Sequence, residues 1–154
     1  MIDSRAFRDV MGCYPTGVTI VSAWVEGVAI GITVNSFASV SLRPPLVLWS
    51  IEHDTHRYDP LRYATDYAIN ILAFDQTELA DRCAQEADLV ACGARVSGEA
   101  VPLIEGAVAR LVCRQQAVHP GGDHDIIVGE VLSLDTPRRV PSLVFVRGGY
   151  GEAG

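Results

Sequence analysis

The chain has 154 residues, of which 49% are hydrophobic, and it carries a formal net charge of −7 at pH 7. This length suits a single domain over residues 1–154, and the acidic balance argues against a nucleic-acid groove, which needs clustered positive charge. Charged residues interrupt every long apolar run, so we expect a soluble protein that does not enter a membrane.

The N-terminal segment predicts a helix over residues 4–12, with Ser4 as its N-cap. The apolar side of this helix carries Phe7, Val10 and Met11. The segment lacks the apolar stretch of a secretion signal, so a cytoplasmic location is expected. The high hydrophobic content of so small a chain further indicates that some apolar surface is buried against another subunit.

The next segment predicts a β-hairpin. Residues 18–24 and 28–33 are rich in β-branched side chains, and Glu26-Gly27 supplies a turn between them. If the two strands pair in register, Thr16-Gly17 and Thr33-Val34 lie at neighbouring strand ends.

Residues 31–50, GITVNSFASVSLRPPLVLWS, combine small and hydroxyl-bearing side chains with an apolar end. Short side chains leave room for backbone N–H groups and hydroxyls to approach an anionic, planar ligand. The two prolines predict a loop, and residues 46–49 predict a buried strand behind it. A serine-rich loop between two strands explains these residues alone equally well.

Residues 51–59 predict a polar loop that carries His53, Thr55, His56 and Arg57. Imidazolium, hydroxyl and guanidinium groups all donate hydrogen bonds, so this loop can act as a phosphate clamp. A solvated turn is the alternative. A short helix over residues 60–65 and a strand over residues 67–72 follow.

Residues 75–87 predict the most regular helix, capped by Asp75 or Thr77. Arg82 points off its apolar face, either as a surface charge or as a ligand contact. Turn residues over 93–102 lead to a strand over residues 107–119.

Residues 120–125, PGGDHD, present His124 between two carboxylates just before a strand over residues 126–134. A histidine in this setting can bind a ligand, although a hairpin whose aspartate caps its own turn explains the motif too. A final strand over residues 142–146 precedes a tail that we expect to be mobile.

The four cysteines are widely spaced and form no metal-binding motif, so we expect them to be core residues and expect no metal. No glycine-rich dinucleotide or Walker motif is present. About six strands, two or three helices and short turns predict a mainly β fold, an antiparallel β-barrel with flanking helices.

Five segments together resemble one family. PTGVTIV, the stretch over residues 31–50, YAINIL with its following helix, PLIEGAVARLVC and GGDHDIIVGEV are similar, in this order, to the flavin reductase-like, FMN-binding split-barrel family. The resemblance implies a Greek-key-like split barrel, a homodimer, and hydride transfer from NADH or NADPH to FMN or FAD. It also implies a separate flavin-dependent monooxygenase that receives the reduced flavin.

The resemblance assigns His124 to the nicotinamide side of the catalytic site. It assigns the following residues to flavin binding: Thr33, Val34, Asn35, Ser36, Ser39, Ser41, Ser50, Ile51, His53, Thr55, Arg57, Arg82 and Tyr150. Asp54 departs from the family pattern, because a carboxylate repels a phosphate. Three alternatives remain open: a flavoenzyme that reduces another acceptor, a flavin carrier or sensor without turnover, and a β-barrel interaction domain.

Overall fold

The structure, a computed structural model, describes residues 1–154 and consists mainly of antiparallel strands. Its three helices are α1 (Ser4–Met11), α2 (Tyr58–Arg62) and α3 (Thr77–Cys83). Its twelve strands are β1 (Thr16–Gly17), β2 (Thr19–Val25), β3 (Val28–Val34), β4 (Ala38–Leu42), β5 (Pro45–Glu52), β6 (Asp66–Ile71), β7 (Val96–Ser97), β8 (Leu103–Ile104), β9 (Ala109–Gly121), β10 (His124–Asp135), β11 (Ser142–Val146) and β12 (Gly149–Ala153).

Seven of the strands form one antiparallel sheet in the order β3-β2-β6-β9-β10-β5-β4. The strands β1, β11 and β12 form a second sheet, and β7 pairs with β8. This arrangement confirms the predicted mainly β fold with flanking helices. None of the helices is both long and apolar enough to cross a bilayer.

Two tight turns fix the long hairpins. Glu26 and Gly27 have φ angles of 51° and 79°, as in the type I′ turns that match the twist of paired strands. The resulting β2–β3 register pairs Thr19 with Val34, whereas Thr16 and Gly17, predicted beside Thr33 and Val34, form β1 and pair with β11. Gly122, with φ of 70°, forms the turn between β9 and β10, so β10 begins directly at His124.

Each side of the main sheet packs its own apolar cluster, because successive strand residues face opposite sides. On β2, Ile20 belongs to the cluster that includes Ala80 of α3, which holds this helix against the sheet. Its neighbour Val21 belongs to the other cluster, with Trp49 and Tyr67. The position of α3 is therefore set by core packing.

A close contact between Tyr67 and Gly129 gives a stability prediction. Tyr67 is buried against Trp49, and a Cβ added at Gly129 would overlap the Tyr67 hydroxyl. We expect Gly129→Ala to lower the free energy of unfolding by about 1–3 kcal/mol, the usual cost of overpacking. The matched control is Gly17→Ala, whose added Cβ meets nothing within 4 Å. Urea denaturation measures both, and an unchanged midpoint for Gly129→Ala would contradict the prediction.

Several predicted boundaries were wrong by a few residues. Asp3 caps α1 in place of Ser4, because its carboxylate accepts a hydrogen bond from the Ala6 N–H at 3.1 Å. The helix α3 ends at Cys83, before the predicted residue 87, and its N-cap is Gln76 without a side-chain cap. The sequence pattern alone did not show which of the neighbouring residues caps each helix.

Other predictions failed because they depended on distant partners. The tail expected to be mobile forms β12, which pairs along its length with β11. Cys13 is exposed, whereas the other three cysteines are buried as predicted. The strands β1, β4, β7, β8 and β12 were not predicted, and they account for most of the excess over the roughly six strands expected.

Candidate functional site

A cavity of about 320 Å³ lies where the ends of β3, β5 and β10 approach the loop after β5 and the end of α3. Its lining residues are Ile32, Thr33, Val34, Asn35, Ser36, Ser50, Glu52, Thr55, Arg57, Ala84 and His124. Eight of these are residues that the sequence assigned to the site. The structure therefore brings together segments that are far apart in the chain.

The Thr33–Ser36 segment contributes backbone donors rather than hydroxyls. The Thr33 hydroxyl donates to the Ala80 carbonyl at 2.8 Å, and the Ser36 hydroxyl accepts from the Ser50 N–H at 2.9 Å. The N–H groups of Asn35 and Ser36 make no hydrogen bond to the backbone. Unpaired N–H groups beside a cavity are available to a ligand that carries oxygen or negative charge.

Strand alternation decides what β5 contributes. Ser50 and Glu52 line the cavity, whereas the Ile51 side chain between them is 1% exposed and packs in the core. The predicted role of Ile51 in binding is corrected for this reason. The same alternation could have identified Glu52, which the sequence reasoning missed.

Arg57 is buried and holds the end of α3. Its Nη2 donates to the Ala84 carbonyl at 2.8 Å, and its Nη1 donates to the carbonyls of Cys83 and Gly31. Burial lowers the pKa of Arg57, and the nearby side chains of Cys83, Cys92 and Glu86 oppose part of this change. Its Nε is buried and has no hydrogen-bond partner. Arg57 is thus a structural bridge as well as a cavity residue.

His124 stands at the opposite strand end with a fixed ring orientation. Its Nδ1 donates to the Asp123 carboxylate at 2.7 Å, and this contact lowers the pKa of Asp123. Since Nδ1 is the donor, Nε2 remains available for a ligand. His124 also pairs with Glu52 across the strands, so an imidazole and a carboxylate line the same cavity.

His53 turns away from this cavity, contrary to the prediction. Its Nε2 donates to the Asp125 carboxylate at 3.0 Å, and its ring packs edge-on against Tyr58. The tyrosine hydroxyl donates to the other oxygen of Asp125. The phosphate clamp inferred for this loop therefore reduces to Thr55 and Arg57.

Ser39 and Ser41 also lie outside the cavity. Both belong to β4, an edge strand, where Ser39 is exposed and the Ser41 hydroxyl accepts from the Arg43 N–H at 3.3 Å. Neither serine lines the cavity, although both are close in sequence to Ser36.

Arg82 and Tyr150 make contacts of their own elsewhere. Arg82 forms an ion pair with Glu78 at 2.6 Å and lines a separate cavity. The Tyr150 hydroxyl donates to Asp81 at 2.8 Å, and burial together with this carboxylate raises the pKa of Tyr150 to about 12. Neither side chain lines the cavity that holds His124.

A larger cavity of about 1140 Å³ adjoins the first one, with Asn35 and Ser36 lining both. Its other walls come from the end of α1, the following loop that includes Tyr14, the strand β1, and the β11–β12 turn. The unpaired N–H groups of Asn35 and Ser36 therefore lie where the two cavities meet.

Comparison with known proteins identifies the family. Residues 11–154 match the model of the flavin reductase like domain. The chain belongs to this family. It is 44% identical to an FMN reductase (NADH), SmoA of Agrobacterium fabrum, with 97% of this chain and 86% of that protein covered.

Two further flavin reductase relatives extend the comparison. The chain is 34% identical to the reductase subunit HsaB of a flavin-dependent monooxygenase from Rhodococcus jostii, over 97% of this chain and 77% of that protein. The solved NADH:FAD oxidoreductase SgcE6 of Streptomyces globisporus, in complex with NAD and FAD fragments, superposes with a TM-score of 0.91 at 34% identity. That match covers 100% of this chain and 96% of SgcE6. The predicted family and split-barrel fold are thereby confirmed.

Proposed function

We propose that this chain is a flavin reductase that transfers a hydride from NADH to FMN or FAD in the groove around Asn35. The observation that carries the proposal is the single cavity that joins unpaired N–H groups, buried Arg57 and oriented His124. Positive and donor groups at one end suit a phosphate, and unpaired N–H groups further along suit an electron-rich ring. The residues present therefore fit a flavin.

Thr55, Arg57 and Ser50 would hold the flavin phosphate. Thr55 and Ser50 supply hydroxyls at the cavity wall, and Arg57 supplies a buried positive charge. Charge-assisted hydrogen bonds of this kind are stronger than neutral ones. The carboxylate of Glu52 lines the same cavity, so it restricts where a phosphate can lie.

The backbone around Asn35 would hold the isoalloxazine ring. Bound flavin supplies the chemistry, since it accepts a hydride and takes up negative charge on its ring. The N–H groups of Asn35 and Ser36 are fixed donors that favour such charge. The Ser36–Ser50 hydrogen bond keeps this segment in place, because it ties the segment to the neighbouring strand β5.

His124 would position the nicotinamide nucleotide. Asp123 holds Nδ1, so Nε2 can bond the nucleotide without changing ring orientation. Hydride transfer needs the two rings in near contact and little acid–base assistance, so positioning is the main task of the protein. We favour NADH over NADPH, because the relative SmoA is an FMN reductase (NADH).

We further propose that the chain works as a homodimer and supplies reduced flavin to a separate monooxygenase. Phe7, Val10 and Met11 on α1 are exposed, which supports burial of this helix face by a second copy. The monooxygenase partner is supported by the relative HsaB, which is a reductase subunit of such an enzyme. Three buried free thiols and the use of NADH suit the reducing cytoplasm.

Flavin titration followed by a turnover assay tests the proposed function. We expect FMN or FAD fluorescence to change on binding, and NADH absorbance to fall only when flavin and protein are both present. Flavin binding without NADH or NADPH oxidation would favour a carrier or sensor. Oxidation only with another acceptor would favour a different flavoenzyme. Absence of flavin binding would favour an interaction domain.

A further inference from the structure

We propose that Asp125 is a positioning residue that fixes His124 relative to the loop carrying Thr55 and Arg57. The inference rests on the proposed function and adds a residue to it that does not itself line the cavity. Asp125 follows His124 on β10 and therefore faces the other side of the strand. It is 9% exposed.

The Asp125 carboxylate receives donors from both ends of this loop. His53, at the start of the loop, donates Nε2 to Oδ1 at 3.0 Å. Tyr58, at the start of α2, donates its hydroxyl to Oδ2, and Arg62 of the same helix lies 3.5 Å from Oδ2. The partners of Asp125 thus bracket the two residues that the loop contributes to the cavity.

The backbone also makes this connection, because β10 pairs with β5 from His124 and Glu52 onward. The His53 N–H donates to the Asp123 carbonyl at 3.0 Å, next to the exposed turn at Gly122. Strand ends beside glycine turns open easily unless side chains hold them. The side-chain contacts of Asp125 extend this connection past the end of β5 to the far end of the loop, where Tyr58 and Arg62 lie.

The charges agree with this geometry. Hydrogen bonds from Tyr58 and His53 lower the pKa of Asp125, so it accepts as a carboxylate near neutral pH. The same contact raises the pKa of Tyr58, which keeps its hydroxyl protonated as a donor. An ionised carboxylate accepts at both oxygens, whereas asparagine offers one acceptor and turns an NH₂ group toward a donor.

A double-mutant cycle with His124 tests the proposal. We expect Asp125→Asn to lower kcat/KM for NADH about tenfold in the wild-type background, because a small displacement of a positioning group is costly. In the His124→Ala background the same change should alter kcat/KM for NADH by less than about twofold, since the imidazole that Asp125 positions is absent. Equal fold-changes in both backgrounds would overturn the proposal, because they would indicate a general structural effect.

Two further variants keep the test decisive. Tyr58→Phe removes one donor and retains the ring packed against His53, so it should show the same dependence on His124 with a smaller effect. It replaces Asp125→Asn in the cycle if that variant fails to fold. Asp59→Asn, an exposed carboxylate on α2, is the matched control and should stay within about twofold of wild type. A wild-type chain that oxidises no NADH with flavin would instead overturn the proposed function, and this inference with it.

Discussion

Replacement of His124 by alanine is expected to raise the KM for NADH about tenfold while the Kd for flavin stays within about twofold. A tenfold change corresponds to ~1.4 kcal/mol, which is the size of a hydrogen bond to a polar ligand group. The effect falls on the nucleotide because Asp123 orients the imidazole and leaves Nε2 as its one available nitrogen. Flavin binding is spared because its proposed contacts lie on β3 and the loop after β5.

Steady-state kinetics with varied NADH, together with flavin fluorescence titration, measures these two quantities. His119→Ala is the matched control, since this histidine is exposed on β9 and lines neither cavity. His124→Gln retains a donor and an acceptor and should fall between alanine and wild type. Equal activity of His124→Ala at all NADH concentrations would contradict the assignment, and so would weaker flavin binding with an unchanged KM.

The sequence predicted those parts of the site that are local in the chain. Thr33 to Ser36 form one contiguous segment, and the Glu26-Gly27 turn sets the register that brings this segment to the end of β3. His124 follows a glycine turn that can only present it at a strand end. In both cases short-range geometry is sufficient, because a turn and strand alternation determine the position.

The errors concern residues whose surroundings come from distant segments. His53 was predicted to face the ligand, but Asp125, far along the chain, draws it to the other side of β10. Tyr150 lies on a strand that exists because β11 pairs with it. No local pattern contains this information. Ile51 is the exception, because strand alternation along β5 could have separated it from Ser50 and Glu52.

Substitution of Arg57 by methionine is expected to lower the free energy of unfolding by about 3 kcal/mol and to weaken flavin binding at least tenfold. Methionine fills similar space but donates no hydrogen bond, so the carbonyls of Cys83, Ala84 and Gly31 lose their partner. Each buried acceptor left without a donor costs about 1–3 kcal/mol, although water reaching the helix end recovers part of this. Flavin binding weakens because the cavity also loses its buried positive charge.

The two roles of Arg57 can be separated. Urea denaturation reports the structural role, and FMN or FAD titration at a temperature where the variant remains folded reports the phosphate role. Arg57→Lys keeps the charge but cannot reach several carbonyls at once, so it should restore binding more than stability. Arg139→Met, at an exposed arginine, should change neither. The contacts with the carbonyls need all the N–H groups of the guanidinium, whereas the ligand needs only its charge and one donor. A variant that loses stability yet binds flavin with unchanged affinity would therefore exclude Arg57 from the phosphate site.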